Sequence, residues 1–326
     1  MIVSRLLRCT PAFAGVLLCA FLCACATPQV SQLRAAAPAG TELAQQANLP
    51  RVPFFAQKEY ECGPAALAMV LAAAGVAVTP DELVEQVYLP ARKGSLQVEM
   101  LAATRQRGLL AYALQPQLKD LLQEVAAGHP VLVFQNVSLP IYPVWHYAVV
   151  VGYDLQSNTI TLHSGETERL QMSLFTFERV WARGHYWAML ALPPEQLPAT
   201  ADVQSLARAA AALEGNQPAA ARVAYGTALL RWPQQAALLF GLGNSSYALK
   251  DLGAAVTAYQ QATTVQPDFA DAWNNLAQVQ LELGQRAAAR AAIAHAVALG
   301  GVRLPQYLEL QTQIEAQPQS EAMPQN

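Results

Sequence analysis

Charge is scarce in this chain of 326 residues: Asp, Glu, Lys and Arg make up 13% of it, while apolar residues make up 53%. Even so, beyond the N-terminus no uninterrupted apolar run approaches the ~20 residues that a membrane-crossing helix needs. The bulk of the chain is therefore expected to be globular and soluble. Basic residues are not in excess, with 20 Lys and Arg against 23 Asp and Glu and a formal charge of −3. Nucleic acid is not expected as a partner, because its phosphates demand a basic footprint. No run of glycines precedes Lys93-Gly94-Ser95 at the spacing of a phosphate loop. Cys62, His163 and His185 lack metal-ligand spacing, so neither zinc nor any other cofactor is expected. Cysteine itself is sparse, and Cys62 alone of the five lies beyond residue 25.

What is present begins with a targeting signal. Arg5 and Arg8 form a positive start, and residues 12–24 form an apolar stretch that ends in Leu22-Cys23-Ala24-Cys25. That tetrapeptide resembles a lipobox, in which a small residue precedes the cysteine that is diacylated before cleavage and becomes the new N-terminus. Cys19 and Cys23 each follow Leu instead, which leaves Cys25 as the lipidation site and residues 1–24 as the signal peptide. The competing reading is an uncleaved membrane anchor, since residues 9–27 are nearly long enough to span. Ala26 rather than Asp follows the cysteine. By resemblance to sorted bacterial lipoproteins, this implies a cell-envelope protein anchored in the outer membrane and facing the periplasm.

Once Cys9, Cys19 and Cys23 leave with the signal and Cys25 carries lipid, Cys62 stands alone. An unpaired cysteine in an exported protein is either a small buried apolar residue or a working thiol. Residues 25–50 are rich in Ala, Pro and Gln, have no sustained period, and read as a tether. Residues 51–195 read as one α+β domain. A helix is expected from Cys62 to Gly75, and the capping box Thr79-Pro80-Asp81-Glu82 announces a second. Strands are expected at residues 130–134, 146–153, 159–163 and 186–192, the middle two joined by a polar turn into an antiparallel hairpin. Helices first and a sheet later make an α+β arrangement rather than a repeating βαβ one.

From residue 202 the texture becomes Ala-rich helix with a period of 34, seen in Ala221, Ala255 and Ala289, in Tyr225, Tyr259 and Ile293, and in Pro233 and Pro267. Leu242-Gly243 and Trp273 with Leu276 fill further positions. This pattern resembles the tetratricopeptide repeat, with units near 202–235, 236–269 and 270–303. The resemblance implies an all-α solenoid that folds as a separable unit and docks a protein partner or substrate. Residues 304–326 read as a flexible tail.

The most specific segment is 52–69, which holds Gln57 and Cys62-Gly63-Pro64. Cys62 sits where a loop becomes a helix, so backbone N–H groups and the helix dipole favour its thiolate. Gly63 permits close approach, and Pro64 is tolerated where helical N–H groups lack partners. Gln57 could aim its amide beside the sulfur and, with the Cys62 N–H, stabilise an oxyanion. A thiol nucleophile also needs a base, and His146 opens the strand Trp145-His146-Tyr147-Ala148-Val149-Val150-Val151-Gly152-Tyr153 at a place where it can enter a cleft.

These two segments resemble the bacteriocin-processing, or double-glycine leader, peptidases over residues 52–194. The trailing repeats and the absence of transporter segments match the stand-alone exported members. The resemblance implies a papain-like fold with Cys62 as nucleophile, His146 as base and Gln57 as oxyanion donor. In the family a carboxylate after the next strand orients the imidazole, whereas this chain has Ile160-Thr161-Leu162-His163-Ser164-Gly165. His163, taken as the third member, or Ser164 could supply a hydrogen bond without the anion, and Glu166 would serve if its loop folded back.

The leading expectation is thus an exported, lipid-anchored cysteine peptidase that cleaves an envelope or secreted peptide. Two alternatives stay open: a non-hydrolytic binding module on the same fold, and an acyltransferase in which an amine resolves the acyl-enzyme.

Overall fold

In the computed structural model, which describes residues 27–36 and 43–316, the chain starts with helix α1 (Pro28–Ala36) and strand β1 (Gln46–Asn48). The signal sequence, Cys25 and residues 317–326 lie outside the described residues. Helices α2 (Cys62–Ala73) and α3 (Pro80–Val87) follow, then the short strands β2 (Tyr88–Leu89) and β3 (Gly94–Ser95) and helix α4 (Gln97–Gln106). Strand β4 (Leu110–Ala113), helix α5 (Leu118–Ala126), strands β5 (Val131–Asn136), β6 (Trp145–Asp154), β7 (Thr159–Ser164) and β8 (Thr167–Ser173), helix α6 (Leu174–Arg183) and strand β9 (Ala188–Leu192) complete the first half.

The sheet runs β4-β9-β5-β6-β7-β8, with β1 added beside β6, and its pairings are antiparallel. Helix α2 has no charged residue and no polar face, so it must be covered on every side; Gly63 to Leu71 are all buried. It lies between the sheet and helices α3 and α4. Tyr147, Val149 and Val151 of β6 pack on the α2 side, while Ala148 and Val150 join the core on the opposite face with α5 and α6. This is the period of two expected of a strand buried on both faces. The expected capping box is formed: Thr79 N donates to Glu82 Oε2 at 2.7 Å, and Glu82 N donates back to Thr79 Oγ1 at 3.4 Å.

The stretch expected to be a tether is largely built into this domain. Gln29 N and Val30 N donate to the Glu178 carboxylate at 2.9 and 2.7 Å, Val30 is buried, and β1 pairs with the end of β6. A buried carboxylate that accepts the free N–H groups of a helix start satisfies both partners, which fixes α1 on α6.

The second half is helical: α7 (Val203–Ala211) with α8 (Pro218–Arg231), α9 (Ala236–Ala248) with α10 (Leu252–Val265), α11 (Ala270–Glu282) with α12 (Arg286–Leu299), then α13 (Leu304–Ala316). Gly243 faces the Tyr259 ring with no room for a Cβ, so the two helices of this pair cross closely. Two expectations need correction. Residues 304–316 are not a tail: Tyr307, Leu310 and Ile314 are buried against the last pair. Nor is the first pair independent, because Leu206, Ala210, Leu213, Tyr225 and Ala228 belong to the same core as the sheet. Asp202 caps α7 through Ser205 N at 2.8 Å, and Gln217 Nε2 donates to Gln106 O at 2.8 Å across the junction. Among the described residues no helix is long and apolar enough to cross a membrane.

Candidate active site

Cys62 is the first residue of α2, so its backbone lies among the unpaired N–H groups of a helix start. The backbone N–H groups of Tyr147, Gly63 and Cys62 itself favour its thiolate. Burial works against them and prevails, pushing the thiol above its ordinary value.

His146 lies on β6 near its N-terminal end, half-buried, and burial pushes its imidazole down to about 4. Nε2 lies 2.8 Å from Ser164 Oγ at the end of β7. Both Cys62 and His146 line a cleft of about 890 Å³ that also takes in Gln57, Ser95, Trp145 and Glu166. Gln57 is held there by its backbone N–H, which donates to Gly165 O at 3.2 Å. The loop between Gln57 and Cys62 is tightly bent, with Tyr60 in the left-handed region at φ 64 and the Lys93 ammonium 5.1 Å from its ring centre.

The structure thus brings Gln57, Cys62 and His146 into one cleft, and it parts them from His163. Both nitrogens of the buried His163 are engaged elsewhere, Nε2 with Val52 O at 3.2 Å and Nδ1 accepting from Arg169 N at 3.3 Å. His163 therefore holds the Val52 segment to the sheet, while Ser164 is the imidazole's neighbour. The register of β7 against β8 shifts between Leu162 and Ser164, so simple alternation does not decide which of the two neighbours meets His146. Glu166 reaches the cleft. Ser95, met in the sequence only in ruling out a phosphate loop, was not foreseen at this site; its Oγ is buried without a hydrogen-bond partner beside Gly63. The expectation of a favoured thiolate also changes, since burial raises the thiol and lowers the imidazole, which leaves both groups uncharged near neutral pH. Among the described residues no group of three or more His, Cys, Asp or Glu could hold a metal ion.

Comparison with known proteins bears on the two halves of the chain. Residues 49–189 match the Peptidase_C39 like family, residues 243–284 match a TPR repeat family, and residues 270–299 match a tetratricopeptide repeat family. No curated protein matches the chain as a relative. Among solved structures, the chain is similar to a Bacillus anthracis protein described as a C39-like peptidase, at 18% identity and a TM-score of 0.38, covering 46% of this chain and 98% of that one. The peptidase domain of Streptococcus ComA, a bifunctional ABC transporter in a quorum-sensing pathway, is 20% identical with a TM-score of 0.37, covering 44% and 99%. The Sgt2 TPR domain of Aspergillus fumigatus is 21% identical with a TM-score of 0.32, covering 37% and 87%. The chain carries a C39-like peptidase domain, and tetratricopeptide repeats follow it.

Proposed function

We propose that the chain is an exported, lipid-anchored cysteine peptidase, with Cys25 carrying the lipid, that cleaves a peptide in the cell envelope at Cys62. The carrying observation is the shared cleft: a thiol at a helix start, an imidazole on the adjoining strand, and the Gln57 side chain. With Nε2 protonated and donating to Ser164 Oγ, Nδ1 of His146 holds the lone pair that takes the thiol proton. Sγ then bonds to the substrate carbonyl carbon, and the resulting oxyanion is met by the Gln57 amide and the Cys62 N–H. Collapse breaks the C–N bond, His146 returns its proton to the leaving amine, and water hydrolyses the thioester. Because both groups rest uncharged, proton transfer accompanies attack. The repeats present the substrate or dock a protein partner, and the lipid at Cys25 holds the protein in the outer membrane, facing the periplasm.

A second reading, a binding module on the same fold, is favoured by one observation: a serine rather than a carboxylate meets His146. Labelling the purified protein with a thiol-directed peptidase inhibitor and locating the adduct by mass spectrometry separates the two. The peptidase reading expects one adduct at Cys62, lost in Cys62→Ser and strongly slowed in His146→Ala. An unreactive Cys62 in folded protein at every pH up to 8 leaves the binding module.

A further inference from the structure

Where β5 passes into β6 the chain projects a hairpin of nine residues, Val137-Ser138-Leu139-Pro140-Ile141-Tyr142-Pro143-Val144-Trp145, the last of them opening β6, without a single charge. Its apolar side chains point into solvent: Ile141 is 77% exposed, Tyr142 74% and Leu139 57%, with Val137, Val144 and Trp145 about half exposed. The hairpin is nevertheless built firmly. Asn136 Oδ1 accepts from Ser138 N and Val144 N, both at 3.0 Å, and Val137 N donates to Val144 O at 3.0 Å. An ordered, uncharged protrusion of this size is costly in water and calls for an apolar partner.

The way the chain enters the domain indicates which partner. Helix α1 runs antiparallel to α6, since its first N–H groups bind Glu178 while Arg34 lies over the ring of Phe175, earlier on α6. The start of α1 therefore faces the C-terminal half of α6. There Arg183 donates to Ser138 O of the hairpin at 2.7 Å, and Gly184 packs too closely on the Phe134 carbonyl to admit a Cβ. Thr27 caps this start, accepting from Ser31 N at 3.2 Å. Thr27 is two positions from Cys25, a reach of roughly 7 Å at full extension. Any lipid on Cys25 is thus confined to the end of the molecule from which the hairpin projects.

We propose that the hairpin 137–145 enters the surface of the lipid bilayer, Ile141 and Leu139 among the acyl chains and Tyr142 and Trp145 at the headgroup level, where amphipathic aromatic rings settle. The proposal rests on the lipid-anchor reading for its orientation. It gives the domain a fixed pose rather than a swinging one, and it sets the cleft, lined on one side by Pro143, Val144 and Trp145, against the membrane. Substrates would then be peptide segments held at the bilayer surface.

The test uses the full chain, exported and processed by the cell, with Cys62→Ser so that an introduced thiol alone takes a fluorescent label. Ile141→Cys carries the label on the hairpin; Val302→Cys, fully exposed in the turn before α13, is the control. Each protein is placed on phosphatidylcholine vesicles and quenched either by iodide from the water or by nitroxide-bearing lipid from within. The proposal expects iodide quenching at 141 to fall at least threefold relative to 302, with lipid nitroxide quenching 141 alone. Equal behaviour at the two sites overturns it, as does protection of 141 before vesicles are added, which would mean that protein covers the hairpin. Intact mass reports the lipid at Cys25 separately. Lipid present with a water-exposed 141 overturns the hairpin proposal and keeps the anchor; lipid absent with a bilayer-quenched 141, read with Cys25 and any retained signal cysteine also replaced by Ser, does the reverse.

Discussion

At His146 a serine hydroxyl stands where a histidine base in such a pair commonly meets an anion. Ser164→Ala removes one hydrogen bond that orients the ring, worth about 1 kcal/mol, so labelling of Cys62 should slow roughly fivefold. Ser164→Asp supplies the missing charge and should raise the imidazole above its present value of about 4. Labelling rates across pH check both. If neither substitution alters the profile, Ser164 is not the orienting group. His146 also leaves a mark on stability. Its folded value of about 4 lies below the unfolded 6.5, so between those values the unfolded chain binds a proton that the folded one refuses. Stability should therefore rise with pH across that window and be lost as pH falls through it. His163, also lowered by burial, adds in the same direction. Chemical denaturation at several pH values should show the slope in the wild type and a shallower one in His146→Ala. Gln57→Ala should cost roughly 10²–10³ in turnover of any identified substrate. Cys62, His146 and Gln57 were legible because local chemistry marks them: a loop-to-helix junction, a strand start, and a fixed offset upstream. The choice of Ser164 over its neighbour His163 was not, since the register shift between Leu162 and Ser164 in the β7–β8 hairpin breaks simple alternation.

Among the elements, those with a strong apolar signal were readable and those with a polar face were not. Helix α2, the β6–β7 hairpin and the capping box at Thr79 all follow from nearby residues. Strand β8 (TERLQMS) has no buried residue and reads as loop, although it closes the edge of the sheet beside β7. Helix α1 buries Val30 but owes its place to Glu178, which lies 148 residues away and leaves no trace in a local pattern. Glu178→Ala should cost about 1–3 kcal/mol by leaving helix-start N–H groups without an acceptor, measured by urea denaturation. Helix α13 did carry a signal, Tyr307, Leu310 and Ile314 on one face, masked by the glutamines around them. Ile314→Ala should destabilise by about 2–5 kcal/mol. A substitution in a free tail would change nothing.

On the scale of the whole molecule, the sheet and the first helix pair share one core, so the chain is not two bodies on a string. Residues 202–303 expressed alone would expose Leu206, Leu213 and the α7 face that packs on β4, and they would lack α13 as a cap. The fragment is expected to show weak helical circular dichroism and a tendency to aggregate, whereas the full chain should unfold in one calorimetric transition. A well-folded fragment would show that the later pairs suffice for one another. The shared core also sets an order of assembly. Leu238, the last residue of that core, follows the end of β9 by more than forty positions. A chain that emerges amino end first, from the ribosome or through a membrane channel, will have delivered Gln57, Cys62, His146 and Ser164, with the core on the α2 face of the sheet, well before the core on the opposite face can close. The sheet that carries His146 should thus be covered on its second face late, only when the first repeats have arrived.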